Sequence, residues 1–108
     1  EQEACLTEVR RVLVLGACGL AGRVVVDRLL ATTSVAVIAS GRSADKLQSR
    51  FAGRSPHLTT AVLDADDAAA LARACAEADV VVNAVGPYTR NGAEIAATVV
   101  AARRHYLD

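Results

Sequence analysis

Three observations predict an α/β domain with a parallel sheet covered by helices on both faces. Short apolar runs rich in valine, isoleucine and leucine alternate with segments of helical period, strand before helix, and the pair repeats along the chain. The connections between them are short. The first apolar run ends in a glycine-rich turn, LGACGLAG. Such alternation joins parallel strands through right-handed helical crossovers. It predicts a Rossmann-type sheet of strand order 3-2-1-4-5.

Each element has its own signal. Val12 to Leu15 is a β-branched and leucine run stopping at Gly16, the pattern of a strand buried on both faces. Leu20 to Leu30 carries Val24, Val25 and Leu29 at helical spacing. Val35 to Ala39 is a second buried strand. Ser43 caps a second helix that runs to about Ala52 and stops at Gly53, and Arg54-Ser55-Pro56 is a loop. Leu58 to Leu63 is a third strand, with its threonines at the more exposed end. Asp66 caps a third helix, DAAALARACAEA, with Leu71, Cys75 and Ala78 on one stripe. Val80 to Ala84 is a fourth strand, broken by Gly86-Pro87. Asn91 and Glu94 are spaced as a capping box for a fourth helix through about Arg103. Tyr106-Leu107 starts a fifth strand, so the chain ends at Asp108 as a strand begins, which is expected of a domain cut from a longer protein.

Size and composition narrow the function classes. At 108 residues the chain is one domain. It divides into an N-terminal extension, residues 1–10, and the Rossmann-type domain, residues 11–108, on whose ligand the motifs bear. Twelve basic residues balance twelve acidic ones, which argues against nucleic acid or an acidic membrane surface as partner. Cys5, Cys18 and Cys75 are odd in number and lack metal-site spacing, and His57 and His105 have no partner at ligand spacing. No metal is expected, and a reducing, cytoplasmic compartment fits. The charged start EQEACLTEVRR is not a secretory signal, and no apolar run is long enough to span a bilayer.

The chemistry-bearing stretches follow strands one, two and four. Gly16, Gly19 and Gly22 stand at G-x-x-G-x-x-G spacing between a strand and a helix. A turn free of side chains lets phosphate reach the helix N-terminus, where unpaired N–H groups and the helix dipole favour an anion. Gly22 lets the helix pack close to the strand. In this context the motif predicts dinucleotide binding, in a spacing variant that suits extended reductase-like folds. Cys18 reads as a small residue tolerated in a crowded loop. Arg42 lies where a ribose-binding carboxylate is expected for NAD. A guanidinium cannot accept from ribose hydroxyls, but it pairs bidentately with a 2′-phosphate. Ser40 and Ser43 add hydroxyl donors beside Gly41, so the cofactor is expected to be NADP(H). Asp64 either accepts from the adenine amino group or caps the loop before Asp66. In NAVGPYTRNGAE, Gly86 lets the backbone approach the nicotinamide side, Pro87 stiffens the turn, and Tyr88 covers the cofactor, faces substrate or lids the sheet edge. His105 and Tyr106 are substrate contacts or, more commonly for such residues, interface or core.

Together GACGLAG, SGRS, the aspartate ending strand three, and VVNAVGPYTRNG followed by a helix and HYLD resemble the NADP-binding N-terminal domain of the saccharopine dehydrogenase-like family. That family includes saccharopine reductases and trans-acting enoyl reductases. The resemblance runs from about Arg11 to Asp108 and covers only the front part of a full-length member. It implies cofactor contacts at Gly16, Ala17, Cys18, Gly19, Leu20, Ala21, Gly22, Ser40, Gly41, Arg42, Asp64, Ala84, Val85, Gly86 and Pro87. No catalytic acid or base carries over. The expected function is the cofactor domain of an NADP-dependent oxidoreductase, with a small-molecule substrate held by a missing domain and a homodimer as one assembly. The alternatives are a non-catalytic dinucleotide-sensing module and an extended short-chain reductase or epimerase. The latter expects a Tyr-x-x-x-Lys pair, yet no lysine follows Lys46.

Overall fold

The computed structural model describes residues 9–85 and 92–107. In chain order the elements are β1 (Arg11–Leu15), α1 (Leu20–Thr32), β2 (Ala36–Gly41), α2 (Ala44–Phe51), β3 (Leu58–Val62), α3 (Ala68–Cys75), β4 (Val80–Asn83), α4 (Gly92–Ala101) and β5 (His105–Leu107). The strands form one parallel sheet of order β3-β2-β1-β4-β5, as the alternation predicts. One row of partners crosses the whole sheet: Leu58, Val37, Val12, Val80 and His105.

β1 is central, and Val12 through Leu15 are all buried. Alternate residues of a strand face opposite ways, so the sheet feeds two cores. Val12 and Val14 join Val37 and Ala39 under α1 and α2, with Val26, Leu47 and Phe51. Leu13 and Leu15 join Val81 under α3 and α4, with Leu71, Cys75, Ile95 and Val99. Each large side chain so buried contributes roughly 1.5–3 kcal/mol before entropy is counted. Burial pushes the Cys75 thiol pKa up, with nearby Arg104 opposing.

Several boundaries differ from the sequence reading. α1 runs on to Thr32, where the Thr32 and Thr33 hydroxyls donate to the Arg28 and Leu29 carbonyls. Val24 points outward, 59% exposed, while Gly22 and Val26 are buried. β2 starts at Ala36 and continues to Gly41 because its pairing with β3 persists through Gly41 and Val62. The cap of α3 is Asp67: its Oδ1 accepts from Ala70 N–H at 3.1 Å. Asp66 instead lies in the turn before it, and its N–H donates to Asp64 Oδ1 at 2.9 Å. α3 stops at Cys75, after which Glu77 and Ala78 donate three residues back, although Ala78 stays buried. α4 stops at Ala101, short of Arg103. Arg103 N–H donates to Val100 O and Arg104 N–H to Val99 O, a Schellman turn. Arg103 takes the left-handed position, φ 61°, usually given to glycine, so composition offered no stop signal. The Gly86-Pro87 break and the Asn91 cap lie outside the described residues.

At the N-terminal rim of the sheet the Asp79 carboxylate clamps the start of β1. Asp79 Oδ2 accepts from Arg10 N–H at 2.8 Å and from Arg11 N–H at 3.1 Å. The Arg10 bond is the main cause that keeps the Asp79 carboxyl below its ordinary pKa.

Candidate functional site

The C-terminal ends of β1, β2, β3 and β4 meet on the opposite rim. Gly16 leaves β1 with φ 71°, and a Cβ there would stand 2.9 Å from both Cα and N of Val85. Only glycine suits this backbone, on conformation and on space. At Gly22 a Cβ would lie 2.1 Å from the Gly16 carbonyl oxygen, so α1 rests directly on the turn. Ala17 is fully buried, and its N–H donates to Ser40 O at 2.9 Å, tying the glycine turn to the end of β2. Cys18 is half-buried, its Sγ 3.9 Å from where a Gly41 Cβ would be.

Gly19 is different. A Cβ there would meet only Gly16 O, at an ordinary 3.5 Å. Gly19 is the N-cap of α1 and supplies no side-chain cap. Its own N–H donates to Gly16 O, and the first helical bond runs from Arg23 N–H to Gly19 O. The amides of Leu20, Ala21 and Gly22 therefore have no intrahelical acceptor. A helix start left uncapped beside a glycine fits an anionic oxygen.

At the end of β2 the predicted residues divide. Ser40 is 1% exposed and its Oγ donates to Val14 O at 2.8 Å. Its hydroxyl is thus committed to β1, which corrects the expectation that it serves as a donor to phosphate. Ser43 caps α2 by accepting from Lys46 N–H at 3.2 Å, leaving its own O–H to donate outward. Arg42 is exposed and makes no hydrogen bond or ion pair with the described residues. Gly41 O accepts from Leu63 N–H at 2.8 Å, which sets the next residue, Asp64, beside this corner. Asp64 Oδ1 accepts from Asp66 N–H, the loop-capping role of its two alternatives.

After β4, Ala84 N–H donates to Leu15 O at 3.0 Å and Val85 packs on Gly16. Gly86, Pro87 and Tyr88 lie outside the described residues. His105 starts β5 opposite Val80, at the N-terminal rim, so it stands away from the glycine turn. The sequence reading missed the pairing of Asn83 with Tyr106. Asn83 Nδ2 donates to the Tyr106 hydroxyl at 2.9 Å and its Oδ1 accepts from Val85 N–H at 3.0 Å. A lone amide at the end of the run VVVN was the available signal, since a buried amide needs partners. Among the described residues no group of carboxylates, imidazoles and thiols could hold a metal ion. Among the described residues no helix is long and apolar enough to cross a membrane.

Among the described residues the donor set fits a phosphorylated dinucleotide: uncommitted amides at α1, an open Gly19, and an unpaired guanidinium one strand away. Residues 12–108 match the family model for the saccharopine dehydrogenase NADP binding domain. Among curated proteins no sequence matches the chain. Among solved structures, the apo saccharopine dehydrogenase (L-Glu forming) of Saccharomyces cerevisiae is similar at TM-score 0.62 and 26% identity, over 86% of this chain and 19% of that one. A short-chain dehydrogenase/reductase from Veillonella parvula in complex with NADP is similar at TM-score 0.63 and 17% identity, over 91% of this chain and 46% of that one. The PbgP3 protein of Burkholderia pseudomallei gives TM-score 0.72 at 18% identity, over 92% of this chain and 34% of that one. The last two likenesses speak for the fold alone. The chain spans less than half the length of each of these structures. On the family match and the geometry of its glycine turn, the chain belongs to the saccharopine dehydrogenase NADP-binding domain family, whose cofactor is NADP(H).

Proposed function

We propose that this domain positions NADPH for hydride transfer to a small-molecule substrate held by another domain of the same oxidoreductase. The observation that carries the reading is one juxtaposition. The uncapped start of α1 and Arg42, unpaired among the described residues, are joined through the Ala17–Ser40 backbone bond. The Leu20, Ala21 and Gly22 amides take the pyrophosphate across Gly19, where no side chain stands in the way. Arg42 pairs with the 2′-phosphate, assisted by the outward hydroxyl of Ser43. Ser40 acts indirectly, by locking the end of β2 to β1. Asp64 shapes the adenine side through its loop. Ala84 and Val85, continued by Gly86, Pro87 and Tyr88, line the nicotinamide side. When bound, NADPH supplies the hydride, and the protein contributes placement and charge complementarity.

The domain is taken to be residues 11–108, with residues 1–10 preceding it, and the cytoplasm is its compartment. A homodimer is one assembly compatible with it. Titration of NADPH and NADH into the protein tests the cofactor reading. NADPH is expected to bind about ten- to a hundredfold more tightly. Failure to bind NADPH would refute the site. NADPH oxidation by the intact oxidoreductase tests the hydride step, and binding without any turnover would favour a sensing module instead.

A further inference from the structure

Asn83 ends β4 after three valines and is only 8% exposed. A primary amide buried there must place its hydrogen bonds well. One goes to the Tyr106 hydroxyl at 2.9 Å and the other comes from Val85 N–H at 3.0 Å. Tyr106 stands opposite Val81 in the β4–β5 pairing. Val81 and Asn83 share a sheet face, so the tyrosine ring lies along that face and packs into its apolar cluster. The ladder from β4 to β1 ends with Ala84 N–H on Leu15 O. Val85 is past that ladder, and a side chain rather than a strand holds its amide. Its backbone is also the one that a Gly16 Cβ would strike, at 2.9 Å. Tyr106, Asn83, Val85 and Gly16 therefore form a continuous contact from the sheet edge to the glycine turn.

We infer that Asn83 and Tyr106 are positioning residues for the nicotinamide half of the dinucleotide, acting through Val85; this rests on the NADP(H) reading above. The sheet order carries the choice of half. Arg42 follows β2 on one side of β1, and Val85 follows β4 on the other. With the 2′-phosphate at Arg42 and the pyrophosphate at α1, the β4 side is left for the nicotinamide half. Loss of the Asn83 bonds frees Val85 to shift and leaves the Arg42 corner untouched.

The test titrates Tyr106→Phe, Asn83→Leu and Asn83→Asp with two ligands, NADPH and adenosine 2′,5′-bisphosphate. The second keeps the 2′-phosphate and lacks the nicotinamide half. Tyr106→Phe is expected to weaken NADPH about fivefold and Asn83→Leu at least about tenfold, with the bisphosphate changed less than about twofold. Asn83→Asp retains the acceptor for Val85 N–H, and it is expected to bind NADPH more tightly than Asn83→Leu does. NADPH affinity unchanged in both Tyr106→Phe and Asn83→Leu would overturn the inference. So would equal weakening of both ligands in Tyr106→Phe, the mark of a merely structural role. Should Asn83→Leu not fold, Tyr106→Phe alone decides. A wild type that binds neither ligand refutes the NADP(H) reading itself, whereas a wild type that binds both, with indifferent variants, refutes only this step.

Discussion

Gly19→Asp is expected to stabilise the domain while destroying its dinucleotide site. Gly19 sits at φ −74° and ψ 172°, the extended backbone of an N-cap. A Cβ there meets only Gly16 O, at 3.5 Å. An aspartate would accept from Ala21 or Gly22 N–H, gaining a few tenths of a kcal/mol over glycine as a cap. Its charge at the helix start adds about 0.3–1 kcal/mol. Restricting the unfolded chain adds about 0.4–1 kcal/mol. The sum is about 1–2 kcal/mol, and each kcal/mol raises the melting temperature of such a domain by roughly 4–8 °C. The same carboxylate would occupy the amides that the proposed site offers to phosphate, and would repel it. Two charge-assisted bonds at roughly 1.5–3 kcal/mol each correspond to a loss of more than about a hundredfold in NADPH affinity. Gly22→Ala is the contrast. Its Cβ would lie 2.1 Å from a backbone oxygen that cannot yield, so it costs about 1–3 kcal/mol or more and loses binding with stability. Thermal unfolding without ligand and NADPH titration are the two assays. A Gly19→Asp protein that binds NADPH like wild type, or melts well below it, would refute the reasoning.

Three further outcomes follow from described contacts. Arg42→Ala should weaken NADPH about ten- to a hundredfold and leave NADH nearly unchanged, with added salt narrowing the gap; equal weakening of both in a cofactor titration would remove the arginine from phosphate recognition. Asp67→Ala should lower unfolding free energy by about 1 kcal/mol and Asp66→Ala by less than about 0.5 kcal/mol, as urea melts can resolve, because only Asp67 caps α3. The folded pKa of Asp79 lies below its unfolded value. Its contribution is therefore present above the unfolded pKa of about 3.9 and lost as pH falls through the folded one. Asp79→Ala should flatten stability against pH below about pH 4, and an unaltered acid limb would count against the rim clamp.

The sheet was legible because its signals are local and redundant. Four apolar runs, each followed by a helical stretch, leave little choice but a parallel sheet, and Gly16 and Gly22 announce a close strand–helix crossing. The misplaced ends have physical causes. Asp66 and Asp67 are both good caps, and only the backbone path decides between them. Arg103 occupies a position where composition expects glycine. Ser40 reads as a ligand from its place beside Gly41 and Arg42, but β2 continues through it and turns its hydroxyl toward β1. The Asn83–Tyr106 bond joins residues on neighbouring strands. No local pattern encodes such a pairing, although the buried amide required some partner.

The sheet's flank at β3 has a bearing on how this protein behaves at high concentration. Among the described residues β3 pairs only with β2. Its sequence, LTTAV, is uncharged and free of proline, with Thr59, Thr60 and Val62 exposed and Val62 at 63%. An outer row of unsatisfied backbone groups on such a strand is a template for another chain. His57 and Asp64 flank the strand without entering it. Self-association by edge pairing is thus the expected failure at high concentration, and it would leave the glycine turn intact. Thr60→Lys, which places a charge on that flank, should reduce light scattering of concentrated protein without altering NADPH affinity; unchanged scattering would locate the association elsewhere.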